Sequence, residues 1–297
     1  MASLGSISQS NKKKLTLFNL LKTASSGKSS YFTNGNLSEF SPRAIEVISD
    51  CDLIACEDTR NTAKLLSFFN ISKPLVSLRE HNEVSESLNI IEQINSRGIK
   101  VVYVSDAGYP CISDPGAKLV ELALQNGINV STVSGPNAAL NALVASGLPC
   151  DHFYFHGFLD PKNKVQKDEL RKLSTKEETL IFYEAPHRID DTLECMLKIL
   201  GNRKACIARE LTKKFEEYHR GTIEELFNLS VKGVLKGEMV LVIEGSKADN
   251  VLTLGNFELI DEVNKYIDQG MSTKDAIRKV SEVYKINKNE VYRIFHQ

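Results

Sequence analysis

Residues 105–116 read SDAGYPCISDPG and follow directly after the apolar run VVYV at 101–104. The apolar run predicts a buried strand, and the Asp-Ala-Gly turn after it presents one carboxylate and unhindered backbone amides to a ligand. Asp114 and Pro115 then predict the start of a helix, with Asp114 as the N-cap and Pro115 at the first helical position. The amides of a first turn have no partner within the helix, so an aspartate can accept from them and a proline loses no hydrogen bond there. This order favours a small-molecule site at the carboxyl end of a strand, where open α/β sheets bind their ligands.

Length, charge, cysteine spacing and apolar content limit the kind of protein that this sequence can encode. The 297 residues suffice for two domains, and a net charge of -1 provides no overall positive field for nucleic acid. Any contact with RNA therefore requires local basic patches. The six cysteines form no C-x-x-C pair, which favours free thiols in a reducing compartment over disulfides or zinc. No apolar stretch approaches the roughly 18 residues of a membrane span. We expect a cytoplasmic protein with no metal and no membrane contact.

Short apolar runs alternate with amphipathic stretches along most of the chain, which predicts an α/β fold with largely parallel sheets. The predicted strands are 51–56, 74–78, 100–105, 129–133, 152–155, 180–183, 205–208 and 239–243. The predicted helices are 62–69, 86–96, 117–125, 138–145, 187–200 and 223–229.

The domain limits follow from turns and from changes in composition. The turn at 146–149 separates an N-terminal α/β domain (31–148) from a C-terminal one (149–246). Residues 1–30 are expected to form a disordered N-terminal extension. The leader is rich in serine and contains no acidic residue before Glu39, but it also lacks arginine, which argues against a transit peptide.

The C-terminal segment 255–297 is predicted to be wholly helical. Three candidate helices span 261–268, 272–284 and 288–295, and Ser272 and Asp275 have the spacing of a capping box. This layout resembles a helix-turn-helix unit. Residues 272–297 contain six Lys or Arg against three Asp or Glu. The excess fits either a solvated surface or an appendage that binds RNA phosphates.

Further polar clusters stand where predicted strands end. CEDTR at 56–60 opens a helix with Thr59 as its expected N-cap, and REHNE at 79–83 follows the next strand. SGPNAA at 134–139, FYEAPHR at 182–188 and RELTKK at 209–214 occupy equivalent places. Carboxylates such as Glu57 and Asp58 stabilise a helix N-terminus in many proteins, so these clusters support either a structural or a catalytic role.

Together these motifs resemble the ribosomal RNA small subunit methyltransferase I family, a branch of the tetrapyrrole methylase superfamily. The strings that carry the resemblance occur in family order from about residue 35 to 245: ACEDTRNTAKLL, REHNE, VSDAGYPCISDPG, SGPNAAL, ASGLP, IFYEAPHR, ARELTKKFEE, RGT and KGEMVLVIEG. The helical tail resembles the family's C-terminal helix-turn-helix extension.

The resemblance implies two α/β domains of tetrapyrrole methylase type that hold S-adenosyl-L-methionine in the cleft between them. It also implies a homodimer that methylates the 2′-oxygen of a cytidine in the decoding region of small-subunit rRNA, as rRNA or as the 30S subunit. Matched position by position, the cofactor-binding residues are Gly35, Asp106, Ala107, Gly108, Tyr109, Asn137, Ala138, Tyr183, Leu211, Gly237 and Glu238.

Methyl transfer to a ribose hydroxyl benefits from a general base, because the neutral hydroxyl is a poor nucleophile. We favour Glu57 or Glu184 as the catalytic base. Asp58, His81 and His187 are further candidates. Three arginines are expected to bind RNA phosphates: Arg60, Arg188 and Arg209.

The N-terminal region departs from the family pattern. Only Gly-Asn-Leu at 35–37 remains of the family's Thr-Pro-Ile-Gly-Asn-Leu loop, and the strand candidate 15–20 lies upstream. The first strand is therefore displaced by an insertion, the pocket edge is malformed, or the deduced N-terminus is not the true one. Two other functions stay open: a superfamily methylase of a tetrapyrrole or other small substrate, and a non-catalytic homologue with an impaired first-strand loop.

Overall fold

The fold is described by a computed structural model, in residues 13–19, 40–105, 109–247, 256–284 and 286–296. The chain divides into two compact units, residues 1–145 with 208–217 and residues 146–207 with 218–297. Within the described ranges, ten strands form two sheets of five. Two α/β units agree with the predicted fold class.

The first sheet is parallel throughout. Its strands are β1 (Lys14–Asn19), β2 (Leu53–Cys56), β3 (Leu75–Ser77), β4 (Lys100–Ser105) and β5 (Asn129–Val133). Their order is β3-β2-β4-β1-β5, and every neighbouring pair is parallel. The connecting helices are α1 (Pro42–Asp50), α2 (Thr59–Phe68), α3 (Glu83–Arg97) and α4 (Ala117–Gln125), and α5 (Ala138–Ser146) follows β5.

Apolar side chains cover both faces of this sheet, as expected for a parallel sheet with helices on each side. Val101 and Tyr103 of β4 belong to a core with residues of α3 and α4. Val102 and Val104 point the other way, into a core with residues of α1 and α2. The continuous apolar run of β4 is therefore explained by its burial on both faces.

β1 comes from residues 1–30, the segment that the sequence placed outside the first domain. It lies between β4 and β5, where Leu15 pairs with Val101 on one side and Val130 on the other. The first strand is thus present, upstream of its expected position. Of the three explanations for the divergent N-terminal region, this favours displacement of the strand by an insertion. The rest of that segment, like the loop containing Gly35, lies outside the described residues.

The second sheet is mixed. Its strands are β6 (Phe153–Phe158), β7 (Thr179–Glu184), β8 (Lys204–Arg209), β9 (Glu217–Thr222) and β10 (Met239–Ile243), in the order β6-β7-β10-β8-β9. β6 and β7 are parallel, but β7 and β10 are antiparallel. The expectation of largely parallel sheets is therefore wrong for this unit. Its helices are α6 (Asn163–Leu173), α7 (Ile189–Leu200) and α8 (Ile223–Ser230).

The C-terminal segment contains three helices with a small core of their own. They are α9 (Asn256–Asp268), α10 (Thr273–Tyr284) and α11 (Lys288–Phe295), and their shared core includes Val263, Ile277 and Val291. The expected cap of α10 is confirmed, because the Ser272 hydroxyl accepts from the Asp275 amide at 3.2 Å. None of the helices in the described ranges is long and apolar enough to cross a membrane.

Candidate functional site

The carboxyl edge of the first sheet gathers most of the motifs that the sequence analysis singled out. Because the strands are parallel, β2, β3, β4 and β5 all end at this edge. β2 leads into Glu57, β3 into the REHNE segment, β4 into residues 106–116, and β5 into the Gly-Pro turn. Asp106, Ala107 and Gly108 themselves lie outside the described residues.

The main chain at Glu57 is fixed by the end of the neighbouring strand. The Ser77 hydroxyl and the Arg79 Nε both donate to the Glu57 carbonyl oxygen, at 3.4 and 2.9 Å. The Glu57 side chain is half-buried. These contacts fix the main chain at the sheet edge, and the carboxylate that it carries remains partly accessible.

Asp58, and not Thr59, caps helix α2, so the expected N-cap is wrong by one residue. The Asp58 carboxylate accepts from the Arg60 amide at 2.8 Å and pairs with the Arg60 guanidinium at 2.9 Å. The hydrogen bond to the Arg60 side chain is the largest cause that lowers the Asp58 pKa to about 2. The Asp58 carboxylate is thus engaged as the cap of α2 and as the partner of Arg60. The Arg60 side chain stays 82% exposed.

His81 lies on a 3₁₀ turn, Glu80–Asn82, and is exposed. The turn is closed by Asn82, whose Oδ1 accepts from the Arg79 amide at 2.7 Å and whose Nδ2 donates to Ser77. No hydrogen bond in the described structure joins the His81 ring to Glu57.

Tyr103 and Tyr109 tie residues 109–116 to the sheet. The Tyr103 hydroxyl donates to the Pro115 carbonyl at 2.8 Å, and burial raises the Tyr103 pKa, which keeps this donor protonated. The Tyr109 hydroxyl bonds both the amide and the carbonyl of Gly135, at 3.2 and 3.3 Å. The loop after β4 is therefore joined to the loop after β5.

The start of α4 differs from the expectation. Its N-cap is Gly116, with φ +121°, and the first helical residue is Ala117, so Asp114 and Pro115 precede the helix. Cys111 and Ser113 have positive φ values of 70° and 61°, which residues other than glycine rarely adopt. Such backbone conformations are typical of functional loops that their surroundings hold in place.

Asn137 caps α5 and leaves the first amides of that helix at the sheet edge. Its Oδ1 accepts from the Leu140 amide at 2.9 Å. Asn137 and Ala138 are half-buried. The amides at the start of a helix favour a carboxylate or another anion.

Glu184 is buried, in contrast to Glu57. Its Oε1 accepts from the Ala185 amide at 2.8 Å and its Oε2 from the Thr192 hydroxyl at 2.6 Å. Gln166 donates to the same hydroxyl at 3.1 Å, and only 1% of the Glu184 side chain is exposed. A substrate hydroxyl does not reach a carboxylate so enclosed, so the structure favours a structural role for Glu184 and leaves Glu57 as the candidate base.

Two of the three predicted RNA-binding arginines are engaged within the protein. The Arg188 guanidinium donates to the carbonyls of Leu159 and Asp160, at 3.0 and 3.3 Å, and lies 3.6 Å from Glu184. Arg209 pairs with Glu217 at 2.8 Å, and 13% of its side chain is exposed. The geometry therefore supports a surface role only for Arg60. His187, which directly precedes Arg188, is exposed.

The remaining predicted cofactor residues lie at turns. Tyr183 is half-buried on β7, with its ring against Phe155 and Phe158. Leu211 stands between Glu210 and Thr212, both of which have positive φ. Gly237 has φ +81° just before β10, and Glu238 is exposed. The described residues contain no group of three or more side chains that could hold a metal ion.

Comparison with known proteins gives the family. The family profile described as Tetrapyrrole (Corrin/Porphyrin) Methylases matches residues 34–226. Over 266 residues the chain is 44% identical to "Ribosomal RNA small subunit methyltransferase I" of Bacillus subtilis, which covers 88% of this chain and 91% of the relative. The chain belongs to the ribosomal RNA small subunit methyltransferase I family, within the tetrapyrrole methylases.

Other members of the ribosomal RNA small subunit methyltransferase I family match at the same length. The Halalkalibacterium halodurans protein is 43% identical over 89% of this chain and 92% of its own. The Vibrio cholerae protein is 40% identical over 87% and 90%. Both carry the same name as the Bacillus subtilis relative.

Solved structures share the fold at low sequence identity. "Crystal structure of the methyltransferase CobJ" has a TM-score of 0.56 at 17% identity, covering 78% of this chain and 94% of that one. "Crystal structure of diphthine synthase" has a TM-score of 0.55 at 15% identity, covering 78% and 90%. This likeness confirms the tetrapyrrole methylase fold of the family member described here.

Sequence reasoning missed two residues at the sheet edge, Arg79 as a support of Glu57 and Glu83 as the acceptor for the amides at the start of α4. Both belong to the REHNE segment. Their position after a strand was visible in the sequence, but the partners are 22 and 33 residues away. No spacing rule predicts contacts over such separations.

Proposed function

We propose that this protein transfers a methyl group from S-adenosyl-L-methionine to the 2′-oxygen of a cytidine ribose in the decoding region of small-subunit ribosomal RNA. The likeness to relatives named "Ribosomal RNA small subunit methyltransferase I" over about nine-tenths of both chains carries this proposal. The arrangement at the carboxyl edge of the first sheet supports it.

The first-sheet edge fits the polar groups of the cofactor. Asn137 accepts from the Leu140 amide, and the amides of Ala138 and Ala139 come before it in the first turn of α5. In this proposal they bind the carboxylate of the cofactor, because a helix N-terminus favours a negative charge. Tyr109 and Gly135, which are joined by hydrogen bonds at this edge, are proposed to lie beside the adenosine. In this proposal Gly35, Tyr183, Leu211, Gly237 and Glu238 complete the cofactor site, and bound S-adenosyl-L-methionine supplies an electrophilic methyl carbon.

Glu57 supplies the base in this proposal. As the ribose 2′-oxygen forms its new bond to the methyl carbon, the hydroxyl proton passes to the Glu57 carboxylate, and the carbon–sulfur bond electrons stay on sulfur. The protein contributes alignment and exclusion of water, which are the main needs of an in-line displacement. Ser77 and Arg79 contribute by fixing the main chain of Glu57.

RNA binding is assigned to exposed basic side chains. Arg60, three residues after Glu57 in the sequence, is the most exposed of the three arginines predicted to bind RNA. Residues 255–297 form the proposed RNA-docking extension, since their helices share a separate core and leave basic residues exposed. Those residues are Lys274, Arg278, Lys279, Lys288 and Arg293. The expected partner is small-subunit rRNA or the 30S subunit, which also gives the protein a cytoplasmic location.

A homodimer belongs to the same proposal. α5 has the mainly apolar sequence AALNALVAS, and Leu140 and Val144 on it are 44% and 75% exposed. Apolar side chains one helical turn apart form a contiguous exposed surface, which is typical of contacts between subunits.

Calorimetric titration with S-adenosyl-L-methionine tests the cofactor assignment. We expect one site per chain in the wild-type protein and at least about tenfold weaker binding for Asp106→Ala, because a lost charge-assisted hydrogen bond is worth 1.4 kcal/mol or more. Asp50→Ala is the matched control and should bind as the wild type does, because Asp50 is exposed and pairs with Lys100 at the start of β4, the opposite edge of the sheet. Absence of binding in the wild-type protein would support the non-catalytic alternative instead.

A further inference from the structure

Glu83 connects the REHNE segment to the helix that follows the proposed cofactor loop. It is the first residue of α3, and its Oε1 accepts from the Gly116 amide at 2.8 Å and from the Lys118 amide at 2.9 Å. The N-cap of α4 is a glycine, and no side chain in its own helix caps it. A carboxylate from another helix therefore satisfies the amides that α4 leaves unbonded.

The residue that Glu83 binds has little freedom to move. Gly116 is buried at φ +121°, and a Cβ atom there would lie 2.4 Å from the Tyr103 ring. Next to it, the Pro115 carbonyl accepts from both the Tyr103 hydroxyl and the Cys111 amide. Glu83 and Tyr103 therefore fix the end of residues 106–116 from two sides.

The position of Gly116 governs the segment before it. The start of that segment is fixed by Ser105, the last residue of β4, and Tyr109 is bonded to Gly135. Between them lie the three residues 106–108 of the Asp-Ala-Gly turn. Since Glu83 and Tyr103 share the anchor at the end of the loop, loss of the Glu83 contacts would leave that end held by Tyr103 alone.

We propose that Glu83 is a positioning residue for S-adenosyl-L-methionine: it holds the loop between β4 and α4, through the Gly116 and Lys118 amides, in the form that binds the cofactor. This inference rests on the proposed function, since it assigns the loop to the cofactor. The carboxylate acts through backbone groups and does not contact the methyl donor. A negative charge is favoured there because it faces the positive end of the α4 dipole.

The test compares Glu83→Ala and Glu83→Gln with Glu86→Ala. Glu86 is also in the first turn of α3, but it makes none of these contacts, so its replacement matches the change in helix charge. Titration with S-adenosyl-L-methionine should give a dissociation constant about tenfold higher for Glu83→Ala. Glu83→Gln, which keeps a neutral acceptor, should give a smaller increase, and Glu86→Ala should match the wild type.

Stability and exchange measurements separate positioning from simple helix capping. Hydrogen exchange of peptides covering 109–118 should be faster in Glu83→Ala than in Glu86→Ala. A lower melting temperature with an unchanged dissociation constant in both Glu83 variants would overturn the proposal and leave Glu83 as a cap only. If Glu83→Ala does not fold, Glu83→Gln decides by the same criterion. Failure of the wild-type protein to bind the cofactor would instead overturn the proposed function on which this inference depends.

Discussion

Replacement of Glu57 with glutamine should reduce the rate of ribose methylation by about 10²–10⁴-fold, the range that a positioned general base contributes. Glutamine has nearly the same shape but does not accept the proton of the 2′-hydroxyl. The main-chain bonds from Ser77 and Arg79 to Glu57 do not involve its side chain, so the fold of the turn should persist. Cofactor affinity should stay within about twofold, because the change affects only the step in which the proton moves.

Single-turnover methylation of small-subunit rRNA, with cofactor affinity measured separately by titration, checks this prediction. Glu80→Gln is the matched control, since Glu80 is an exposed carboxylate in the neighbouring 3₁₀ turn. It should methylate at the wild-type rate. A Glu57→Gln protein that keeps more than a tenth of the wild-type rate would exclude Glu57 as the base and direct attention to His81.

Replacement of Glu184 with alanine should destabilise the second unit by about 3 kcal/mol, the lower end of the cost of breaking a buried charged network. Thr192 and the Ala185 amide lose their acceptor, and Arg188 loses its nearest carboxylate. The melting temperature should fall by roughly 6–12 °C, from the usual 2–4 °C per kcal/mol for units of this size. The methylation rate, measured well below that temperature, should change by only a few fold.

Thermal unfolding followed by circular dichroism measures this effect. Glu194→Ala on α7, the helix that carries Thr192, removes an exposed pair with Lys198 and should cost less than about 0.5 kcal/mol. The melting temperature of Thr192→Val should fall between those of the other two variants, because it loses the hydrogen bonds to Glu184 and Gln166 but keeps the carboxylate in place. A Glu184→Ala protein with an unchanged melting temperature and a rate as low as that of Glu57→Gln would restore Glu184 as the base.

Several elements were predictable to the residue because local signals define them. β4, β5, β10, α4 and α11 have their predicted limits. Each of them has a glycine or an asparagine within two residues of one end, and these residues often begin or end regular structure.

Elements without such signals were missed. β9 reads EYHRGT, and its half-buried and exposed side chains give no apolar run. α6 was also absent from the prediction, and it is strongly polar over its sequence NKVQKDELRKL. α1 was missed although Ser41 and Pro42 mark its start. Edge strands and polar helices depend on packing against neighbours, which composition alone does not reveal.

The sequence predicted where the candidate site lies but not what each of its residues does. Parallel strands bring their carboxyl ends together, so the clusters after β2, β3, β4 and β5 were expected at one edge. The roles of Glu57 and Glu184 could not be told apart, because both follow a strand and precede a helix. Burial by Thr192 and Gln166 distinguishes them, and those contacts exist only in the folded chain.

Primer extension on small-subunit rRNA, in cells with and without the gene, is the decisive test of ribose methylation by this protein. We expect a 2′-O-methyl stop at a decoding-region cytidine when the gene is present and its loss when the gene is deleted. The stop should return with the wild-type gene and stay absent with the Glu57→Gln variant. An identical methylation pattern in both strains would contradict the proposed function.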